Sequence, residues 1–404
     1  TLMRTWLLPL IIGCVLAAPL QAQSRPGAGD EPPLGLWATP VPPLVAELRQ
    51  GIDAYYRFDY DGAIRRFDRL VTARPDHPAG YFLRAEAYWW LFLNDRRNAG
   101  ARQGLQTNLT AAIARGEARL AAHPDDVEAL FILGSAHGRK GMLAGTAKDA
   151  WQAARSAQRA KGYLTRVRAL APEIADAAAA EGLYQYYVGT FGSVARTASR
   201  VLFGLRGDKA AGLAALDAAR RRGAYTRTEA AFFQALFYLQ FEQRPADAQP
   251  ILDGLRSRYP ENLYFATMAA YARQRQRQYA AARPLYESTL ARLAATRVYG
   301  REGETLTRFF YGQTLLGLGE LAGAEAQFTR VAQIRATESD AYPHTSLFLG
   351  RIADLRGHRT LAISHYRRVL TFRDVADSHD LARRLIDRPF TPAALPALIS
   401  APLR

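Results

Sequence analysis

A pattern of small, aromatic and proline residues recurs along this chain at a fixed spacing, and it limits the fold more than any other feature. Its first copy starts at Gly51 and continues in the stretch YDGAIRRFDRLVTARPDHP (residues 60–78) with Ala63, Phe67 and Pro75. Small residues let two helices approach closely, the aromatic ring fills the space towards the next unit, and proline ends the helix. The pattern therefore predicts helix pairs that bury their apolar faces only by stacking on neighbours.

The same anchors return later in the chain. They stand at Gly312, Ala324, Phe328 and Val331, at Gly350, Ala362, Tyr366 and Val369, and in part at Ala248, Leu252, Leu255 and Pro260 and at Ala282 and Tyr286. Anchors at this spacing resemble the tetratricopeptide repeat, a pair of antiparallel helices about 34 residues long. Over roughly residues 43–373 the resemblance implies an all-α fold, an α-solenoid in which about eight helix pairs stack into a right-handed superhelix.

The middle and the end of the chain depart from the regular spacing. Extra residues near 94–104 and 190–207 predict insertions, and we expect longer helices there rather than an interruption of the solenoid. The stretch ADSHDLARRLI (376–386) predicts a C-terminal cap helix, because an end repeat needs a polar outer face. The solenoid is therefore assigned to residues 43–388.

Two proline-rich segments flank the assigned solenoid. They are a linker (residues 23–42) and a tail (residues 389–404). Their composition predicts extended or mobile chain at both ends.

The first 22 residues resemble a secretory signal. Arg4 precedes an apolar run from Trp6 to Ala18, and small residues follow up to Ala22. A charged start, an apolar stretch too short for a comfortable membrane span and a small-residue exit are typical of a signal peptide, here residues 1–22. We therefore expect export to the periplasm or cell envelope of a bacterium.

Cys14 is the only cysteine of the chain. In Ile11-Ile12-Gly13-Cys14 it resembles a bacterial lipoprotein box, which implies a lipidated first residue of the mature protein. The apolar run continues past Cys14, which favours ordinary cleavage, and both alternatives stay open. In either case the mature chain forms no internal disulfide, so its fold rests on packing.

The chain is strongly basic, with a formal net charge of +16. This charge favours acidic protein partners or an anionic membrane surface. Basic residues are not clustered with aromatic ones, which argues against nucleic acid as the partner.

Motifs for catalysis or metal binding are absent from the sequence. His358 and His365 lie seven positions apart on one predicted helix, but two ligands without a third carboxylate do not make a zinc site. The stretch GMLAGTAK lacks the second Gly-Lys of a phosphate-binding loop. We therefore predict a protein that is not an enzyme and uses no cofactor.

The tetratricopeptide resemblance implies a concave groove lined by the first helix of each pair. By register, its partner-binding residues would be Tyr55, Tyr56, Phe82, Glu86, Trp89, Trp90, Arg139, Tyr271 and Arg351. The same register gives Phe131 a groove position on the first helix of the third pair. Adjacent aromatic residues on a helix point about 100° apart, so both members of a pair cannot face the same core. Contact with an aromatic or acidic peptide and simple packing between helices are both open for these residues.

A second hypothesis concerns the basic insertion at residues 190–207. Arg196, Arg200 and Arg206 lie among apolar residues there, as in an amphipathic helix on an anionic membrane. Ordinary packing across the solenoid explains the same pattern. The leading hypothesis is an exported scaffold that binds peptide or protein partners in its groove. The alternative is a peripheral membrane-binding or lipid-binding envelope-assembly factor; the sequence identifies neither the partner nor the oligomeric state.

Overall fold

The structure is a computed structural model that describes residues 34–37, 43–147, 149–190, 207–296, 300–334 and 341–395. Within these ranges the chain is all α, with seventeen α-helices, one short 3-10 helix and no strand. The helices form consecutive packed pairs, which confirms the predicted all-α solenoid.

Two compact units make up the described chain. The first, called the N-terminal unit below, contains the described residues up to Phe92 together with Asn98–Gln234. Its helices are α1 (Pro43–Tyr56), α2 (Tyr60–Ala73), α3 (Pro78–Asn94), α4 (Ala99–Ala122), α5 (Val127–Thr146), α6 (Ala150–Leu170), α7 (Ala177–Gly189), α8 (Lys209–Arg222) and the first half of α9 (Arg227–Gln240).

The second unit, called the C-terminal unit, contains Leu93–Arg97 and the described residues from Ala235 onwards. Besides the end of α9, its helices are α10 (Pro245–Arg258), α11 (Leu263–Arg275), α12 (Tyr279–Thr296), α13 (Arg301–Gly317), α14 (Leu321–Gln333), α15 (Ala341–Leu355), α16 (Arg359–Val369) and α17 (Ser378–Asp387), followed by the 3-10 helix Pro392–Ala394.

The anchors of the sequence pattern meet inside the helix pairs. A Cβ atom added to Gly312 would lie 2.8 Å from Cζ of Phe328, which is closer than real Cβ atoms approach a neighbour. A Cβ added to Gly350 would lie 2.8 Å from Cζ of Tyr366. Phe328 and Tyr366 are both fully buried. The glycine therefore sets how closely the two helices of a pair can pack.

Short polar side chains start many of the helices. A carboxylate or amide oxygen just before the helix accepts a hydrogen bond from a main-chain N–H of the first turn, which otherwise has no partner. The residues that do so are Asp59, Asn98, Asp126, Asp149, Asp208 and Asn262.

The extra length of the second helix pair lies in a long helix. Only residues 95–98 separate α3 from α4, and α4 runs for 24 residues from Ala99. Asn98 caps it by accepting from the N–H of Ala101 at 2.9 Å. The irregular spacing predicts an insertion near residues 94–104, whereas the last six of these residues form the start of α4. The second expected insertion, 190–207, lies outside the described residues except at its two ends.

The end of the solenoid includes the start of the proline-rich tail. Helix α17 packs against α16, and Ala382, Leu385 and Phe390 belong to the same apolar cluster as Tyr366. The main-chain N–H of Phe390 also donates to Asp354 at 2.8 Å. The composition predicts an extended or mobile tail from residue 389, but its first residues are part of the fold.

We predict that Gly350→Ala destabilises the protein by about 1–3 kcal/mol, because the added methyl group overlaps the buried ring of Tyr366. Gly254→Ala is the matched control. Gly254 is exposed in the middle of α10 with open space around its Cα, and alanine there should be neutral or stabilise by about 0.5–1 kcal/mol. Urea denaturation followed by circular dichroism measures both. Equal stability of the two variants would contradict the packing role of Gly350.

Candidate functional site

All nine residues assigned to the groove from the sequence are buried in the structure. Each exposes less than a tenth of its surface: Tyr55, Tyr56, Phe82, Glu86, Trp89, Trp90, Arg139, Tyr271 and Arg351. The structure thus places them among other side chains and not on an open surface.

The aromatic residues of the N-terminal unit contact one another. The rings of Tyr55 and Tyr56 lie 4.6 Å apart, and Tyr56 packs edge-on against Trp90 at 5.4 Å. Trp90 in turn lies 5.9 Å from Phe232 of α9. Here the adjacent aromatic residues fill the space between helices α1, α3 and α9.

An ion triad lies beside this aromatic cluster. Arg139 of α5 donates from Nε and Nη2 to the two oxygens of Glu86, at 2.7 and 2.5 Å, and from Nη2 to Glu229 at 2.7 Å. Its guanidinium group also lies 4.8 Å from the ring of Trp89. Burial opposes the charge of Arg139, but the two carboxylates outweigh this effect and raise its pKa. The triad connects α3, α5 and α9 through one buried cation.

The two predicted groove residues of the C-terminal unit are also in aromatic contacts. Tyr271 stacks on Phe310 with ring centroids 4.1 Å apart. The guanidinium group of Arg351 lies 5.4 Å from the ring of Phe348 and 5.5 Å from that of Phe390, and burial lowers the pKa of Arg351 to about 10.

A four-residue segment from the predicted linker is bound by the N-terminal unit. The main-chain N–H groups of Leu34 and Leu36 donate to the two carboxylate oxygens of Glu128, each at 2.8 Å. The side chains of both leucines are buried, and Gly35 between them has a left-handed φ of 69°. One carboxylate at the start of α5 thereby fixes two main-chain groups of a segment that is more than 90 positions away in the sequence.

His77 lies next to Glu128. Nδ1 of His77 accepts a hydrogen bond from the N–H of Ala79 at 3.2 Å, so the proton of the neutral ring is on Nε2. Nε2 lies 3.2 Å from the nearer oxygen of Glu128, and both side chains are buried. The histidine therefore presents a positive edge to the carboxylate that binds the segment.

Trp37, the last of these four residues, is bound by a second carboxylate. The indole N–H of Trp37 donates to Asp176 at 2.9 Å. Its ring stands nearly perpendicular to Phe131, at 5.4 Å and 84°, and edge-on to Tyr225 at 6.2 Å. Edge-to-face contacts of this kind are favourable for aromatic rings.

Asp176 also organises the turn between α8 and α9. Its carboxylate accepts from the main-chain N–H groups of Ala224, Tyr225 and Thr226, at 2.8–3.0 Å, and from the hydroxyl of Thr226 at 2.9 Å. Burial raises the pKa of Tyr225, whose hydroxyl donates to the carbonyl oxygen of Leu36. Asp176 thus binds Trp37 and, through the turn, positions a second donor to the segment.

We call this set the segment site: Glu128, Phe131, Asp176 and Tyr225, with His77 behind Glu128. Its polar contacts are to main-chain groups and one indole, and its aromatic contacts are to the ring of Trp37. The two leucines of the bound segment are buried. This chemistry suits noncovalent binding of a short peptide. In the part of the chain that the structure describes, no group of three or more His, Cys, Asp or Glu residues could hold a metal ion.

Only one member of the segment site, Phe131, is predicted from the sequence. The tetratricopeptide register implies a groove position for Phe131 on the first helix of the third pair, but it passes over Glu128, Asp176 and Tyr225. The available signal is the apolar tetrapeptide Leu34-Gly35-Leu36-Trp37 inside a proline-rich stretch, which is unusual for a solvated linker.

Several sequence predictions fall outside the described residues. These are the signal peptide at residues 1–22, the lipidation of Cys14, and the membrane or anionic contact of Arg196, Arg200 and Arg206. Among the helices that the structure describes, none is both long enough and apolar enough to cross a membrane.

Comparison with known proteins gives limited similarity. No family model and no curated protein matches this chain. Among solved structures, it is similar to yeast Tom70, with 9% identity over 85% of this chain and 88% of that chain and a TM-score of 0.44. It is also similar to a human IFIT1 dimer with PPP-AAAA, with 13% identity over 85% and 81% of the two chains and a TM-score of 0.46. Both TM-scores are below 0.5, so the fold is defined here only by the helix pairs and glycine contacts of this chain.

We predict that Arg139→Met lowers the free energy of unfolding by about 3–5 kcal/mol, because it leaves the carboxylates of Glu86 and Glu229 without a cation. Combining it with Glu86→Gln should restore part of that loss. Arg65→Met, on the exposed face of α2, should change stability by less than about 0.5 kcal/mol. Urea denaturation compares the four proteins, and a stable Arg139→Met variant would show that the triad contributes little to folding.

A buried histidine in α5 predicts that the stability of the fold decreases in acid. His137 is 1% exposed, its ring is nearly parallel to that of Tyr163 at 5.8 Å, and neither of its ring nitrogens has a hydrogen-bond partner among the described residues. Burial, followed by the charges of Arg159 and Lys140, lowers the pKa of His137 to about 4. Between this value and about 6.5 the unfolded chain binds the proton that the folded chain excludes, so stability falls as pH falls through this window.

The expected loss between pH 7 and pH 4 from His137 is about 3 kcal/mol. His137→Phe should reduce the slope of unfolding free energy against pH in this window. His358→Gln, at an exposed turn before α16, should leave the slope as it is. Identical slopes in wild type and His137→Phe would rule out this histidine as the cause.

Proposed function

We propose that this chain is an exported bacterial scaffold that binds short segments of partner proteins on its helical repeats and catalyses no reaction. The observation that carries the proposal is the segment site, where a four-residue peptide of the chain itself is bound through its main chain and its tryptophan. A surface that recognises one such segment has the chemistry to recognise others.

The contacts of the segment site are those of peptide recognition. Glu128 binds two main-chain N–H groups and Tyr225 binds one carbonyl oxygen, groups that any peptide offers. Main-chain hydrogen bonds supply affinity in this mode, and pockets for side chains supply specificity. Here the specificity lies in the buried leucines and in the aromatic surroundings of Trp37.

The carboxylates of the site are poorly suited to catalysis. A general base must have a free lone pair within reach of the proton that it abstracts. Asp176 already accepts five hydrogen bonds, and both oxygens of Glu128 accept main-chain N–H groups whenever a segment occupies the site. The arrangement favours binding over proton transfer.

The sequence supports export and acidic partners. Arg4 and the apolar run that follows support secretion, with cleavage after Ala22 or lipidation at Cys14. The proposed location of the mature chain is therefore the periplasm or cell envelope. The net charge of +16 favours acidic partner segments and accelerates their association.

The test is a peptide array of about 15-residue segments from bacterial envelope proteins, probed with the full chain. We expect binding to segments that combine acidic and aromatic residues. Raising NaCl from about 0.1 M to about 1 M shortens the Debye length from about 10 Å to about 3 Å, so the affinity of acidic segments should fall in fluorescence-anisotropy titrations.

Scrambled versions of the same segments serve as controls for charge alone. Equal binding of scrambled and native segments would show that net charge alone accounts for the binding. An array with no bound segment would contradict the proposed scaffold function.

A further inference from the structure

We propose that the segment site recognises partner segments of the type aliphatic–glycine–aliphatic–tryptophan, and that residues 34–37 are a built-in competitor for them. The inference rests on the proposed scaffold function and specifies both the ligand and its regulation.

The pocket is built without the help of the segment. Asp176 is held by four donors from the α8–α9 turn, and these bonds are independent of Trp37. Phe131 lies within α5, and the guanidinium group of Arg49 lies 5.3 Å from the ring of Tyr225. A site whose members have other supports stays organised when its ligand leaves, and such preorganisation lowers the cost of binding a replacement.

The main-chain contacts of Glu128 select the spacing between two N–H groups of the ligand. Glu128 accepts from the N–H groups of two residues that are two positions apart, so the ligand must present both to one carboxylate. Gly35 meets this requirement with a φ of 69°, in the left-handed region where other residues are strained. The second position of a partner segment is therefore expected to be glycine.

The side chains on either side of the glycine select apolar residues. Leu34 and Leu36 expose only 5% and 2% of their surface. A charged or polar residue at either position would be buried without a partner, which is costly. Both positions of a partner segment are therefore expected to be apolar.

The last position selects tryptophan. Asp176 accepts a further hydrogen bond from the indole N–H of Trp37, at the edge of a ring that also reaches Phe131 and Tyr225. Phenylalanine lacks the donor and leaves this interaction unmade. Tryptophan alone among the aromatic side chains combines a large ring with an obligatory N–H donor.

The built-in segment reduces the apparent affinity for a partner. A ligand binds only the fraction of molecules in which residues 34–37 have left the site, so its apparent dissociation constant rises by the inverse of that fraction. A chain in which the segment is weakened should bind the same peptide more tightly.

The test uses the full chain and a labelled hexapeptide, Pro-Leu-Gly-Leu-Trp-Ala, which copies residues 33–38. Fluorescence anisotropy compares wild type with Trp37→Ala. We expect the variant to bind the peptide at least about tenfold more tightly than wild type, because its own segment no longer competes. A folded Trp37→Ala chain that does not bind the peptide would overturn the proposal.

Matched variants and peptides test the recognition. In the Trp37→Ala background, Glu128→Gln should weaken peptide binding about tenfold or more. Glu117→Gln makes an equal charge change on the exposed face of α4 and should leave peptide binding unchanged. Replacing the glycine of the peptide by alanine should weaken binding about fivefold or more. Equal binding by both glutamate variants would overturn the assignment of the site.

A measurement on wild type covers the case in which Trp37→Ala does not fold. The chain contains five tryptophans, of which Trp6 lies in the predicted signal peptide. Labelling with 5-fluorotryptophan therefore gives five fluorine signals, or four after cleavage, and Trp37→Phe assigns one of them. Saturating peptide should shift the Trp37 signal as the segment is displaced. An unchanged Trp37 signal at saturation would mean that the segment is a fixed part of the fold.

Two further outcomes are distinguishable. A wild-type dimer that the peptide converts to monomer in analytical ultracentrifugation would assign the site to a second copy of this chain and overturn the partner proposal. Array segments that bind equally to wild type and Glu128→Gln would leave the scaffold function in place while excluding this site.

Discussion

The close approach of a glycine to an aromatic ring is the contact on which the regular helix pairs of this protein depend. Gly51 lies against Phe67, Gly312 against Phe328 and Gly350 against Tyr366. Each ring is fully buried. Because a side chain at the glycine would hold the two helices apart, the ring would lose its packing, and the neighbouring pair would lose the apolar surface that it covers. Stacking of successive helix pairs therefore requires the same close approach of glycine and ring in each pair.

This contact also explains why the fold can be predicted from the sequence. Its two partners lie within one helix–turn–helix unit, so their spacing is fixed locally and repeats along the chain. The boundaries were harder to predict where a helix is longer than the repeat. Asn98 has the character of a helix cap, but the polar residues around it resemble an insertion. In the structure Asn98 caps α4, and Gly104 on the second turn packs against Tyr88 of α3.

The segment site could not be predicted in the same way, because its members are joined by contacts between distant parts of the chain. Glu128 binds residues more than 90 positions away, and Asp176 binds a turn about 50 positions away. Each carboxylate stands at the start of a helix, where an acidic residue already has an ordinary role. Local sequence therefore explains both residues without a binding site, and only tertiary structure shows their partners.

A buried carboxylate is stable only when hydrogen-bond donors compensate for its lost hydration. Glu128 is 6% exposed, and its two oxygens accept from Leu34 and Leu36 beside the ring of His77. When residues 34–37 leave, those acceptors must be satisfied by water or by the N–H groups of another segment. The same burial that ties the chain to its own segment thus makes the vacated site receptive to any peptide with the same pair of donors. Apolar contacts at the leucine and tryptophan positions then decide which peptide is bound.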